Sequence, residues 1–111
     1  SNANATAESA FVEGNLKDEI DFVPKNVKSS PKQAKLVILE NGDWKGLTNG
    51  KVEEEGTWKI VGEEILLVTE GGKGIYKIQS NGDLTGIGRY DGEGNRKELP
   101  KSEQVNFKKI K

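Results

Sequence analysis

Residues 56–86, GTWKIVGEEILLVTEGGKGIYKIQSNGDLTG, decide how this chain folds. Short apolar runs alternate here with glycine-rich breaks. Thr57 leads a run through Val61, Gly62-Glu63 turns it, and residues 64–69 run back. The Glu70-Gly71-Gly72-Lys73 break follows, and residues 75–79 and 84–90 flank Asn81-Gly82. Runs of five to seven residues rich in Ile, Val, Leu and Thr, separated by glycine and asparagine, read as strands and hairpins. No window places apolar residues at i, i+3, i+4 and i+7, so no amphipathic helix is predicted.

Outward from this stretch the same pattern continues. Upstream, residues 34–39 form a Leu/Val/Ile strand, Glu40-Asn41-Gly42 turns it, and residues 43–47 return. Thr48-Asn49-Gly50 is a further turn, and residues 51–55 form a strand or a bulged approach to Gly56. Ile20-Asp21-Phe22-Val23 before Pro24 reads as a short edge strand. Phe11 and Val12 add a strand or plug the core, and residues 25–32 connect. Downstream, residues 91–95 are a glycine-rich tip, residues 96–99 continue the pairing, and a single helical turn can follow Pro100. Residues 105–110 form the closing strand. Strands at 8–12-residue spacing indicate a barrel or sandwich. The expected fold is an all-β antiparallel meander of about eight strands, closed or nearly closed.

The chain contains an approximate repeat. Residues 36–47 align without gaps on residues 76–87, with Ile38/Ile78, Asn41/Asn81, Gly42/Gly82, Asp43/Asp83 and Gly46/Gly86 identical. A two-residue Asn-Gly turn would pair Leu39 with Trp44 and Gln79 with Leu84. A three-residue loop, with glycine in the left-handed region, pairs Ile38 with Trp44 and Ile78 with Leu84. Only the second joins apolar partners in both copies, and it sets Leu36 opposite Gly46 and Tyr76 opposite Gly86. A slip of one residue would invert every face, so the three-residue loop is predicted. Convergence on good turn residues explains two such hairpins as well as duplication does.

Composition limits the chemistry. The 111 residues suit one domain. Hydrophobic and charged residues each make up 32%, so most strands can have only one apolar face. Seventeen Lys/Arg against eighteen Asp/Glu, without clusters, offer no nucleic-acid surface. The longest apolar run, residues 65–68, is far short of a membrane helix. Cysteine and histidine are absent, which removes disulfides, thiolate or imidazole metal sites and Ser-His-Asp chemistry. No cofactor or metal is expected. Ser1-Asn2-Ala3 resembles a tag scar, and the small polar residues up to Ser9 resemble the region after a removed signal peptide. Residues 1–9 are accordingly read as scar and leader, and residues 10–111 as one all-β domain. Export to the periplasm, envelope or exterior is expected, and a lipid-anchored precursor is compatible with it.

Candidate sites are few. Glu53-Glu54-Glu55 and Glu63-Glu64 place neighbouring carboxylates on opposite faces of a strand, which suits a solvated edge better than a catalytic pair. Asp91-Gly92-Glu93-Gly94-Asn95 has alternating oxygen ligands but lacks the further acid of a calcium loop, and reads as a hairpin tip. Gly71-Gly72-Lys73-Gly74 lacks the spacing, hydroxyl and helix of a phosphate loop. Trp44, Trp58, Tyr76 and Tyr90 are the large aromatic surfaces, each a core residue or a ligand contact, the latter at a barrel mouth.

Gly56-Thr57-Trp58-Lys59-Ile60, Gly62 and Ile65-Leu66-Leu67 resemble small bacterial lipocalin-like domains, and the hairpins on either side fit the same style. The resemblance covers residues 34–90. It implies an exported antiparallel barrel with an unknown ligand, and it transfers no ligand residues. The expected function is a non-enzymatic exported binding or interaction module. Its partner would be a small apolar or sugar-like ligand, or a protein. The alternatives are a carboxylate-dependent carbohydrate-processing domain, and an envelope component or inhibitor acting through a strand edge.

Overall fold

The computed structural model describes residues 19–25 and 34–110. The features expected at Phe11 and Val12, the leader, and the connection through residues 26–32 lie outside them. The described strands are β1 (Glu19–Pro24), β2 (Ala34–Leu39), β3 (Asp43–Thr48), β4 (Lys51–Val61), β5 (Glu64–Thr69), β6 (Gly72–Ile78), β7 (Leu84–Tyr90), β8 (Arg96–Glu98) and β9 (Asn106–Lys109). A 3₁₀ turn, Lys101–Glu103, follows Pro100.

All nine belong to one antiparallel sheet. Strands β1 to β7 pair consecutively. Strand β9 then enters between β7 and β1, pairing Leu84 with Phe107 and Phe22 with Lys109. This closes an eight-stranded barrel. Strand β8 takes no part in closure. It pairs with the far half of β7, from Gly88 to Tyr90, beyond the two residues that β9 uses. The expected all-β antiparallel architecture is present as a barrel rather than a sandwich, with one extra strand.

The turns set this arrangement. Ile38 pairs with Trp44 and Ile78 with Leu84, the register predicted for a three-residue loop. Gly42 and Gly82 have φ of 98° and 93°, a conformation nearly free of strain only for glycine. In each copy the asparagine side chain accepts the aspartate backbone N–H, Asn41 from Asp43 at 3.0 Å and Asn81 from Asp83 at 2.9 Å. Such Asx turns pre-form the chain reversal.

Three expectations need correction. Residues 20–23, read as an edge strand, lie in β1, which is paired with β2 on one side and β9 on the other, because the chain's last strand returns to close the barrel. Residues 51–55 and 57–61 are one continuous strand, β4. Gly56 interrupts the apolar pattern but not the pairing: it sits opposite Trp44, and a Cβ there would lie 1.6 Å from the Val68 carbonyl oxygen. Glycine marks a close approach here, not an end. The break at residues 70–73 is also shorter than expected, because β6 begins at Gly72 and pairs with Thr69.

The interior is filled unevenly along the barrel. Ile20, Ile38, Ile65, Ile78 and Leu84 are almost fully buried around the 40–42, 62–63 and 79–83 turns, with Phe22 above them. Each such side chain contributes about 1.5–3 kcal/mol on burial. Trp58 and Ile60 pack partly buried against this cluster, and the Trp58 indole N–H donates to the Leu39 carbonyl at 2.7 Å. This is the packed end. The other end carries the 49–50, 70–71 and 91–95 connections.

The closing seam is short in backbone pairs but rich in side-chain bonds. Asp83 Oδ1 accepts the Lys109 N–H at 2.9 Å, and its Oδ2 meets Lys25 Nζ at 3.1 Å. Burial alone would raise the Asp83 pKa, but the Lys109 amide, Lys25 and Asn81 outweigh it and hold the carboxyl below its ordinary value. Thr85 Oγ1 donates to Asn106 Oδ1 at 2.7 Å and accepts from Gln79 Nε2 at 2.8 Å. These bonds link the second hairpin to β9 and to the end of β1.

Candidate functional site

Inward positions change character toward the end opposite the packed cluster. Isoleucine and leucine give way to glycine at Gly46, Gly74 and Gly86, and the space is taken by two rings. A Cβ at Gly46 would lie 3.4 Å from the Trp44 ring, and Cβ atoms at Gly74 and Gly86 would lie 3.0 and 3.3 Å from the Tyr76 ring. Each ring therefore lies along a wall that lacks side chains.

The route of Trp44 to this end follows from the barrel's stagger. By sequence it sits two residues after the 40–42 turn. Its row of paired residues runs through Gly56 and then, one step from the Thr57–Val68 pair, to Thr69 and Gly72 at the far rim. Strand tilt and shear carry such rows along the barrel axis. The indole N–H donates to the Val68 carbonyl at 3.1 Å, which fixes the ring edge-on to β5.

Beyond these rings lies a cavity of about 560 Å³. Its described lining includes Trp44, Tyr76 and Tyr90, the charged side chains Glu54, Lys73, Arg89 and Asp91, and a rim of Gly71, Gly72 and Gly92. A smaller compartment of about 200 Å³, bounded by Leu36, Leu47 and Phe107, shares Trp44, Glu54 and Tyr76 with it. The larger volume falls within the roughly 300–1,000 Å³ typical of small-molecule sites.

Of the four aromatics singled out from sequence, the fold brings Trp44, Tyr76 and Tyr90 to one cavity. Trp58 is not among its lining residues and belongs to the packed end. The rings are not equally available. Trp44 is 4% exposed, whereas Tyr76 and Tyr90 are half-buried. Tyr76 stacks edge-on to Phe107, with centroids 5.9 Å apart. Lys73 Nζ lies 5.9 Å from the Tyr90 ring centroid, a cation–π distance. Burial, followed by the nearby Glu54 charge, raises the Tyr76 pKa above its ordinary value. The phenol thus keeps its proton at neutral pH and can donate as well as accept.

Sequence reading assigned the charged members other roles: Glu54 a solvated strand edge and Asp91 a hairpin tip. Glu54 stands in a run of three glutamates, which hid its orientation. The register shift between Gly46 and Leu47 moves the alternation by one residue, so parity could not be counted outward from the Asn49-Gly50 turn. Lys73 was weighed only within a rejected phosphate-loop pattern, and Arg89 carried no motif. Among the described residues, Glu54, Arg89 and the Tyr76 hydroxyl take part in no hydrogen bond or ion pair. Asp91 differs: its Oδ1 accepts the backbone N–H groups of Glu93 and Asn95 at 2.9 and 2.8 Å. The Asn95 amide is the largest influence lowering its pKa. Its carboxylate organises the 91–95 tip, as a hairpin turn requires. No group of three or more Asp or Glu side chains able to hold a metal occurs among the described residues. No described helix is long and apolar enough to cross a membrane.

Neither a protein family, nor a curated protein, nor a solved structure matches this chain.

Proposed function

We propose that this protein is a non-enzymatic binding module that takes a small molecule into the cavity end of its barrel. The cavity of about 560 Å³, which gathers Trp44, Tyr76 and Tyr90 around unpaired polar groups, carries the reading. The Glu54 carboxylate is exposed and the Tyr76 hydroxyl reaches solvent, so both are free to hydrogen-bond a ligand that enters the cavity. The closed eight-stranded barrel with its site at one end is lipocalin-like in style.

Barrel closure weakens the strand-edge alternative. Among the described residues each strand of the barrel has a partner on both sides, which leaves β8, three exposed residues long, as an edge. That is a short template for strand addition.

Native mass spectrometry of the protein purified from its own host tests the binding reading. The expected result is a small molecule that co-purifies with the wild type and is lost in a Tyr76→Ala variant that still folds. Repeated isolation of the bare chain would count against the reading.

A further inference from the structure

The chemistry of the cavity wall narrows what it can hold, given the binding reading above. The lining combines ring faces with charges of both signs. Two carboxylates, Glu54 and Asp91, stand against two cations, Lys73 and Arg89. An anionic or cationic ligand would therefore meet no net field of the opposite sign. An aliphatic ligand would fare worse. Leu67 is the one large aliphatic side chain lining the 560 Å³ cavity, so an aliphatic chain lying there would find little apolar surface to cover it and would face the charged Glu54 and Arg89 instead.

A neutral polyhydroxylated ring meets both conditions. Its C–H face can lie on Tyr76 or Tyr90, and its hydroxyls can donate to Glu54 and accept from Arg89 and the Tyr76 phenol. Ionised partners make the stronger hydrogen bonds. The glycines matter for the same reason. Gly74 and Gly86 keep side chains from crowding the Tyr76 ring, and Gly71, Gly72 and Gly92 keep the rim low. We infer that the cavity end binds a neutral carbohydrate, with Tyr76 as stacking platform and Glu54 and Arg89 as hydroxyl partners.

The test titrates the intact chain with cellobiose, maltose and N,N′-diacetylchitobiose by calorimetry, and in parallel with laurate and with 1-anilinonaphthalene-8-sulfonate. The expected result is saturable binding of at least one disaccharide, weakened tenfold or more in Glu54→Gln and in Tyr76→Ala. A Trp58→Phe variant should bind as the wild type does. Binding of laurate or the naphthalene dye at the cavity end with no disaccharide bound would overturn the carbohydrate assignment and leave the binding reading standing. Binding of no probe would count against both. Disaccharide binding unaffected by Glu54→Gln and Tyr76→Ala would remove it from this cavity and so overturn the assignment.

Discussion

The two ends of the barrel are built from the same strands but solve different problems. At the packed end, inward positions hold Ile20, Ile38, Ile65, Ile78 and Leu84, all nearly inaccessible to water. The polar side chains of the nearby seam, Asp83, Thr85, Asn106 and Gln79, bond one another or the backbone. At the cavity end, Gly46, Gly74 and Gly86 stand among the inward positions beside Leu36 and Leu67, two rings lie along the glycines, and, among the described residues, Glu54, Arg89 and the Tyr76 hydroxyl take part in no hydrogen bond or ion pair. A small barrel with 32% hydrophobic residues cannot fill its whole interior with aliphatic side chains. It concentrates them at one end and closes there. The free energy of folding resides mainly in that end, and the other can carry polar groups suited to recognition.

Core deletion should break the comparison most strongly. Phe22→Ala removes a fully buried ring and should destabilise the protein by about 3–5 kcal/mol, read from urea unfolding. Tyr90→Ala at the opposite end should cost far less, because the ring is only half-buried. Equal costs would mean that the two ends share the stabilising role.

Next come the glycines. Gly56→Ala would place a methyl group within 1.6 Å of the Val68 oxygen. It should cost near or above the upper limit of the roughly 1–3 kcal/mol usual for overpacking, since backbone must move and the Trp44–Val68 hydrogen bond with it. Gly46→Ala meets nothing closer than 3.4 Å and should cost about 1 kcal/mol or less, the ordinary range for a mild crowding change. Thermal unfolding of the two variants measures the contrast.

The repeated hairpins give a finer test. Asp83 is buried and bonded to Lys109 and Lys25, whereas its counterpart Asp43 is exposed. Asp83→Asn should cost about 1.5–3 kcal/mol, as for hydrogen bonds to a charged group, and Asp43→Asn within about 0.5 kcal/mol, as at ordinary surface sites. The sign of the pH dependence follows from the depressed Asp83 pKa. Its contribution is fully present above the unfolded carboxyl value of about 3.9 and is lost as pH falls through the lower folded value. The gap between wild type and Asp83→Asn should therefore narrow in acid and stay constant from pH 5 to 7. The smallest effect expected is on stability in Glu54→Gln, within about 0.5 kcal/mol, since that carboxylate supports no contact in the fold.

Local chemistry explains what was legible in the sequence. The Asn-Gly-Asp turns fix their own geometry, so the Ile38–Trp44 and Ile78–Leu84 pairs could be derived from residues a few positions apart. Closure could not. The insertion of β9 between β7 and β1 joins Leu84 to Phe107 and Phe22 to Lys109, contacts set by shape and seam bonding rather than by any turn. For the site, Trp44, Tyr76 and Tyr90 were recognisable as large rings, but their meeting depends on shear, which moves the row of Trp44 to the far rim. Trp58 carries the same side chain and was indistinguishable from Trp44 by pattern, yet its row stays beside the 40–42 turn, where its backbone N–H donates to Gly42 at 2.9 Å. Glu54 was hidden by the register shift beside it.

The two tryptophans mark the two ends, and their indole N–H signals provide the most direct measurement. In a ¹H–¹⁵N spectrum of the labelled protein titrated with each disaccharide and with the naphthalene dye, binding should shift the Trp44 indole and the amides of residues 71–74 and 89–92. The Trp58 indole and the amides of residues 40–42 and 62–63 should remain in place. A bound probe that moved Trp58 and those turns while Trp44 stayed fixed would place recognition at the packed end and contradict the division of labour between the two ends.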